Sequence, residues 1–280
     1  MNAFIITEKN RDFKWFCKDF CNFLEKIMQK RGLHVEQFRA IMEEHRGKGG
    51  TRMQIEGMQK LTLLDYPGKT AAILFAHGCD FRCPFCHNAG LVTRPMANAV
   101  PEDEILSYLY KRRGLLDGVV LTGGEPLLQP DAGELLREIR NLGYAVKLDT
   151  NGSFPDRLAA LLDAGLVDYV AMDIKNRPEK YKETAGCTDA QLAAVRRSVD
   201  LLLAGRVDYE FRTTVTGRLH TPADIGAAAA WIAGAKRYFL QPFKDSGDLV
   251  GDGDFTPDDA TLADMLAHAR RSVPNTELRG

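Results

Sequence analysis

From residue 70 onward the chain alternates short apolar runs with longer amphipathic ones. Residues 71–76, 118–121, 145–148, 167–172, 209–215 and 237–240 are brief and read as strand candidates, apolar for the most part but of mixed polarity around Arg212. Residues 102–113, 131–142, 157–164, 190–204, 223–232 and 258–271 lie between or after them and carry helical periodicity. Pro101, Pro222 and Pro257 fall where a first helical turn tolerates proline, and Thr221 and Thr256 precede two of them as caps. Gly143, Gly165 and Gly205 follow helices, where a left-handed residue ends the last turn. Six successive strand–helix units with right-handed crossovers predict an α/β fold. Its parallel sheet either stays open or, as the favoured reading, curls into a partial (β/α)6 TIM-like barrel, short of the eight units of a closed one. The run 61–69 reads as a lead-in strand followed by a proline–glycine turn.

A composition break at 46–52, Arg-Gly-Lys-Gly-Gly-Thr-Arg, reads as a linker. Ahead of it, Phe13, Phe16, Cys17, Phe20, Leu24, Ile27 and Met28 form one apolar stripe at helical spacing. Gly32 stops that helix, and Val35, Phe38, Ile41 and Met42 predict a second. The domain reading is therefore a small helical extension and linker over 1–52 and a main domain over 53–280. Cys17 and Cys21 are one helical turn apart and read as core filler. Met53 opens the main domain directly, so 1–52 reads as a docking hairpin, a fragment of a helix-turn-helix, or the product of a misassigned start.

Charge narrows the partners. The formal net charge is -1, which gives no global attraction to nucleic acid or an anionic membrane. The main domain is net acidic, against the basic groove an RNA substrate calls for. No apolar run approaches the roughly 20 residues of a membrane span, and the amino terminus lacks the layout of a secretory signal. Grouped free cysteines predict a reducing, cytoplasmic and anaerobic setting.

The chemistry concentrates in 77–88, His-Gly-Cys-Asp-Phe-Arg-Cys-Pro-Phe-Cys-His-Asn. Cys79, Cys83 and Cys86 offer three thiolates to one centre and leave a fourth position empty. A structural zinc wants four closed ligands, and His87 adjoins Cys86 too closely to turn back to the same ion. A 4Fe–4S cluster normally takes four thiolates, so three leave one iron open to a small molecule. Phe85 either covers a ligand ring or packs, and His87 reads as a loop hydrogen-bonder.

Further polar residues gather where parallel strands end, the rim at which such folds bind ligands. Gly123-Gly124-Glu125 lets backbone approach a ligand while a carboxylate accepts from an ammonium group, or is an ordinary tight turn. It is no phosphate loop, because no Gly-Lys-Ser/Thr follows. Asp149 and Asp173 either converge on a cation or cap helices. Lys175 pairs with Asp173 or with an incoming carboxylate, and Arg212 is an ion-pair or ligand residue. Thr214 and Gln241 complete the rim. His220 and Cys187 stand alone and receive no role.

The cysteine triplet with an aromatic before its third member, followed by Gly-Gly-Glu-Pro after the next strand, resembles the radical S-adenosylmethionine superfamily over about residues 53–280. The resemblance implies that Cys79, Cys83 and Cys86 hold one 4Fe–4S cluster. It implies too that S-adenosylmethionine chelates the open iron and that Gly123, Gly124 and Glu125 bind its amine. The reduced cluster then yields methionine and a 5′-deoxyadenosyl radical. Cys-Pro-Phe-Cys-His-Asn, Asp149-Thr150-Asn151-Gly152 and Asp173-Ile174-Lys175 are similar to the glycyl radical enzyme activases. The opening Leu-Thr-Leu-Leu-Asp-Tyr-Pro-Gly-Lys is similar to activating proteins of anaerobic ribonucleoside-triphosphate reductase.

These similarities imply a monovalent cation held by Asp149, Thr150 and Asp173, and Lys175 and Arg212 beside cofactor or partner, with Lys175 among the catalytic candidates. Phe85, His87 and Gln241 join the cofactor-binding set. The implied reaction removes one hydrogen from a glycine of a large partner, with a flavodoxin- or ferredoxin-type protein supplying the electron. Two alternatives are a radical enzyme acting on a small molecule, peptide or RNA base, and a non-catalytic zinc-binding module.

Overall fold

A computed structural model describes residues 53–245, 247–253 and 255–279, which fall in one compact unit, Thr51–Gly280. The helical hairpin expected over 1–52, with Cys17 and Cys21, lies outside the described residues. Eight strands form one sheet in sequence order: β1 (Ile55–Thr62), β2 (Ala71–Ala76), β3 (Gly118–Gly123), β4 (Ala145–Thr150), β5 (Tyr169–Asp173), β6 (Asp208–Val215), β7 (Tyr238–Pro242) and β8 (Thr276–Leu278). β1 pairs antiparallel with β2, and every later neighbour is parallel. Strands that follow in sequence and also lie adjacent place all right-handed crossovers on one face, which curls the sheet into a partial barrel.

Among the described residues eight α-helices flank the strands: α1 (Ala89–Thr93), α2 (Glu102–Lys111), α3 (Ala132–Asn141), α4 (Pro155–Asp163), α5 (Tyr181–Ala185), α6 (Asp189–Leu203), α7 (Pro222–Trp231) and α8 (Asp259–Arg270). Each of the six expected helices is present within two residues at either end. Short α1 and α5, on the loops after β2 and β5, are additional. Thr221 caps α7 with a reciprocal bond to Asp224. Thr256 does not cap α8; Asp258 does, accepting from the Thr261 N–H, because the helix starts beyond Pro257. Gly143, Gly165 and Gly205 adopt φ of +90°, +63° and +71°, as helix ends require.

The parallel sheet has seven strands, β2 to β8, against six expected. β8 is three residues long and carries one apolar side chain, too little for a periodic signal. Arg279 just beyond it clamps the buried Glu210 through bonds of 2.7 and 3.1 Å. The lead-in strand lies earlier than 61–69, at Ile55–Thr62. The turn after it forms as expected: the Lys69 N–H donates to the Tyr66 carbonyl at 3.1 Å, with Gly68 at φ +70°. Among the described residues no helix is long and apolar enough to cross a membrane.

Candidate active site

The carboxyl ends of β2 to β6 surround a cleft enclosing about 740 Å³, mouth included. Cys79, Phe81, Cys83, Phe85, Cys86, His87 and Asn88 line it from the loop after β2. Thr122, Gly123 and Gly124 follow from β3, and Asp149, Thr150 and Asn151 from β4. Asp173 and Lys175 reach it from β5, and Arg212 and Thr214 from β6. The structure thus brings together most of the residues singled out in the sequence. Glu125 and Gln241 are not among the lining residues.

The cysteine loop is pinned by backbone hydrogen bonds to four separate segments. Gly78 N–H donates to Leu91 (2.8 Å), Arg82 N–H to Ala185 at the end of α5 (2.9 Å), Glu125 N–H to Gly78 (2.8 Å), and Gly251 N–H to Pro84 (2.8 Å). Burial pushes the Cys79 thiol up to about 12 and the Cys83 thiol up to about 11. Without metal both sulfurs hold their protons, and a metal centre is what would release them. Two N–H donors already aim at Cys79 Sγ: the Phe81 backbone at 3.4 Å and the Asn151 side chain at 3.8 Å. Donors suit a sulfur that carries negative charge, so the loop fits an iron–sulfur group held by thiolates. Among the described residues, no three His, Cys, Asp or Glu side chains gather tightly enough to share a single ion.

The Gly-Gly-Glu turn has an internal reason for its glycines. Gly123 sits at φ +117°, and a Cβ there would lie 2.4 Å from both Ala76 N and Ala76 O. A Cβ on Gly124 would lie 1.9 Å from the Gly78 carbonyl oxygen. What approaches these positions is the backbone that leads into the cysteines. Glu125 is fully buried and does not line the cleft. Oε1 accepts from the Leu127 N–H at 3.0 Å and the Thr150 hydroxyl at 2.8 Å, and Oε2 from the Asn151 N–H at 2.6 Å. The carboxylate thereby ties the turn after β3 to the turn after β4. Burial raises its carboxyl to about 7 despite those three donors.

Asp149 and Asp173 do converge, but on a guanidinium. Arg212 Nε donates to Asp173 Oδ1 at 3.0 Å and Nη1 to Asp149 Oδ2 at 3.1 Å. Lys175 Nζ reaches Asp173 Oδ2 at 3.0 Å, and Lys147 Nζ bonds Asp149 Oδ1. Cationic side chains thus partner both aspartates of the cation set that the resemblance implies. Burial alone would raise the Asp173 carboxyl, yet Arg212 and Lys175 bring it down to about 2. Burial would lower Lys175, and Asp173 followed by Cys83 keeps it firmly protonated. Two of the five donors of Arg212 are used on the aspartates, so others remain for a ligand.

An aromatic cluster closes the side of the cleft. Phe85 is buried and meets His220 and Phe255 edge-on at 6.3 Å each, so packing claims most of its ring. The exposed His87 stacks on Phe243 at 5.1 Å and 18°. Sequence reasoning gave His220 no role, but the structure places it behind Lys175. Its Nδ1 accepts from the Thr216 N–H at 3.1 Å, so Nε2 carries the proton and donates to the Lys175 carbonyl at 2.7 Å. Lys147 also escaped notice. It is two residues from Asp149 along β4, hence on the same face, and that period was the available signal.

Comparison with known proteins agrees with this geometry. The sequence model described as the radical SAM superfamily matches residues 73–232. A protein of Methanocaldococcus jannaschii, provisionally named a glycyl-radical enzyme activating enzyme, is 31% identical over 233 residues, 80% of this chain and 95% of the relative. A Halobacterium salinarum protein provisionally named a GTP 3′,8-cyclase is 37% identical over 137 residues, which are 45% of this chain and 38% of that one. Among solved structures, Streptococcus suis SuiB bound to S-adenosylmethionine superposes with a TM-score of 0.58 at 16% identity, covering 74% of this chain and 52% of SuiB. That likeness concerns the fold. The family match takes in more than half of the sequence, and the M. jannaschii protein is matched almost end to end. The chain belongs to the radical S-adenosylmethionine superfamily.

Proposed function

We propose that this radical S-adenosylmethionine enzyme is a glycyl radical enzyme activating enzyme, acting on a glycine of a large partner protein. Anaerobic ribonucleoside-triphosphate reductase is the partner that the motif at 61–69 favours, with a flavodoxin- or ferredoxin-type protein as electron donor. The observation that carries the reading is the match to an activating-enzyme relative over 95% of its length. A shared fold alone would fit many chemistries.

In this reading Cys79, Cys83 and Cys86 hold a 4Fe–4S cluster through three thiolates. When bound and reduced, the cluster with S-adenosylmethionine supplies reductive cleavage of the sulfonium to methionine and a 5′-deoxyadenosyl radical. The protein orients and shields the reacting groups. Carbonyls of the Gly123–Gly124 turn accept from the cofactor amine. Free donors on Arg212, with Lys175 beside it, receive the cofactor carboxylate, as charge-assisted bonds to guanidinium favour. We assign the positive charge at Asp149 and Asp173 to Arg212 in place of a separate monovalent cation. Glu125 acts through the two turns it joins. Phe85 and His87 border the aromatic wall.

The GTP 3′,8-cyclase relative favours a second reading, a small-molecule substrate, but that match spans less than half of either chain. Incubating the reduced, cluster-loaded protein with S-adenosylmethionine and a candidate glycyl radical enzyme separates them. Activation predicts a glycine-centred doublet in the electron paramagnetic resonance spectrum of the partner. Cofactor cleavage with no such doublet across candidate partners would reject the activase reading.

A further inference from the structure

We infer that Asn151 is a positioning residue for the Cys79 thiolate, setting the electronic character of the cluster through an amide hydrogen bond to that sulfur. The inference rests on the proposed cluster and adds a role for a residue that the cysteine motif does not include.

The direction of the Asn151 amide is fixed by its partners. Oδ1 accepts the backbone N–H of Ser153 at 2.8 Å, so the oxygen end is committed. Nδ2 lies 2.9 Å from Asp80 Oδ1, an acceptor-only carboxylate oxygen, and 3.8 Å from Cys79 Sγ. An amide nitrogen carries two hydrogens, which these two acceptors take. Flipping the amide would set oxygen against carboxylate and N–H against N–H. The donor therefore faces the sulfur by necessity of the network.

The network is anchored on both sides. The Asn151 backbone N–H is held by the buried Glu125 carboxylate at 2.6 Å, and the residue as a whole is 6% exposed. Asp80 is held from behind by Gln191 Nε2, at 2.9 Å to Oδ2 and 3.2 Å to the Asp80 carbonyl. Gln191 is itself fixed in the first turn of α6, where it accepts from the Thr188 N–H at 2.8 Å. An arrangement anchored on α6 and on the turn after β4 thus delivers one N–H to one cysteine.

A neutral thiol is a poor acceptor, whereas a cluster thiolate is a good one. Reduction adds negative charge to the cluster and its sulfurs, so a donor at sulfur stabilises the reduced form and raises the potential. Removing the donor makes reduction harder, and the remaining Phe81 N–H keeps the sulfur from being wholly undonated.

The test is a redox titration of the anaerobically reconstituted protein, followed by electron paramagnetic resonance, for wild type and Asn151→Leu. The inference expects full cluster loading in both and a reduced-to-oxidised ratio in the variant about tenfold lower at the same poise, which is 59 mV for one electron. An unchanged potential in a fully loaded variant overturns the inference while leaving the proposed function intact. A wild type that loads no cluster removes both. Should the variant fail to load, pulsed resonance on otherwise wild-type protein with 15N-labelled asparagine decides, with Asn88→Ser removing the other cleft asparagine. Coupling between labelled nitrogen and the reduced cluster supports the bond, and its absence overturns it.

Discussion

Gly124→Ala separates two accounts of the Gly-Gly-Glu turn. If its glycines serve only the approach of a ligand, a methyl group should weaken S-adenosylmethionine binding and leave the empty protein untouched. The structure predicts otherwise. The new Cβ would stand 1.9 Å from the Gly78 carbonyl oxygen and 3.3 Å from Cys79 Cβ, where non-bonded carbon contacts need about 3.5 Å. One backbone must retreat by more than 1 Å, roughly the difference between those separations. Retreat strains two hydrogen bonds, Gly124 N–H to Ala76 at 2.9 Å and Glu125 N–H to Gly78 at 2.8 Å. Overpacking costs about 1–3 kcal/mol, and each lost bond about 1 kcal/mol. The sum is about 3–5 kcal/mol, a large share of the roughly 5–15 kcal/mol that stabilises a typical domain. Urea unfolding of metal-free protein under reducing, anoxic conditions, followed by circular dichroism, measures it directly. Iron loading should fall as well, because Gly78 leads into Cys79. Equal metal-free stability with a selective loss of cofactor affinity would refute the packing account.

Two further outcomes follow from the buried charges. Asp173 is held at about 2, so the stability it lends is present above the ordinary carboxylate value and lost as pH falls through 2. Arg212→Met should cost less than the about 3–5 kcal/mol for breaking a fully buried pair, since these groups are part-buried and Lys175 still serves Asp173 and Lys147 still serves Asp149; it should also move acid unfolding to higher pH and weaken S-adenosylmethionine binding by calorimetry. An acid-unfolding midpoint that does not move would refute the pairing. Glu125 shifts the other way, from 4.5 to about 7: the folded state keeps a proton that the unfolded chain releases, so its contribution is full below 4.5 and lost as pH rises through 7, worth up to roughly 3 kcal/mol. Glu125→Gln should flatten that part of the stability–pH curve, and an unchanged slope would contradict the burial.

Much of this site was legible because each strand of a parallel sheet delivers its last residues to the same rim. Knowing where 71–76, 118–121 and 145–148 end was enough to place the cysteines, the glycines and Asp149 together. What remained hidden depends on side-chain direction. Glu125 looks like a ligand-facing carboxylate in sequence, yet three donors from two turns draw it inward. Asp149 and Asp173 read as a cation pair until Arg212, opposite Asp173 on the neighbouring strand β6, is seen to bond both. His220 looks isolated because its partners are a carbonyl 45 residues away and the backbone of Thr216. Residue identity says nothing about carbonyls, so contacts of this kind leave no sequence signal. Phe243 and Phe255 belong to the segment after β7, whose glycines and aspartates carry no period; the approach of Gly251 to Pro84 appears only in three dimensions.

The central claim is that three thiolates from one loop hold a cluster that cleaves S-adenosylmethionine. Anaerobic reconstitution of wild type and Cys83→Ala, followed by dithionite reduction and chromatography for 5′-deoxyadenosine and methionine, tests it most directly. Wild type should bind about four irons and four sulfides per chain, as a cubane requires, and release both products, while the variant releases neither. Products from Cys83→Ala at the wild-type rate, or a wild type that binds iron and leaves the cofactor intact, would contradict the account.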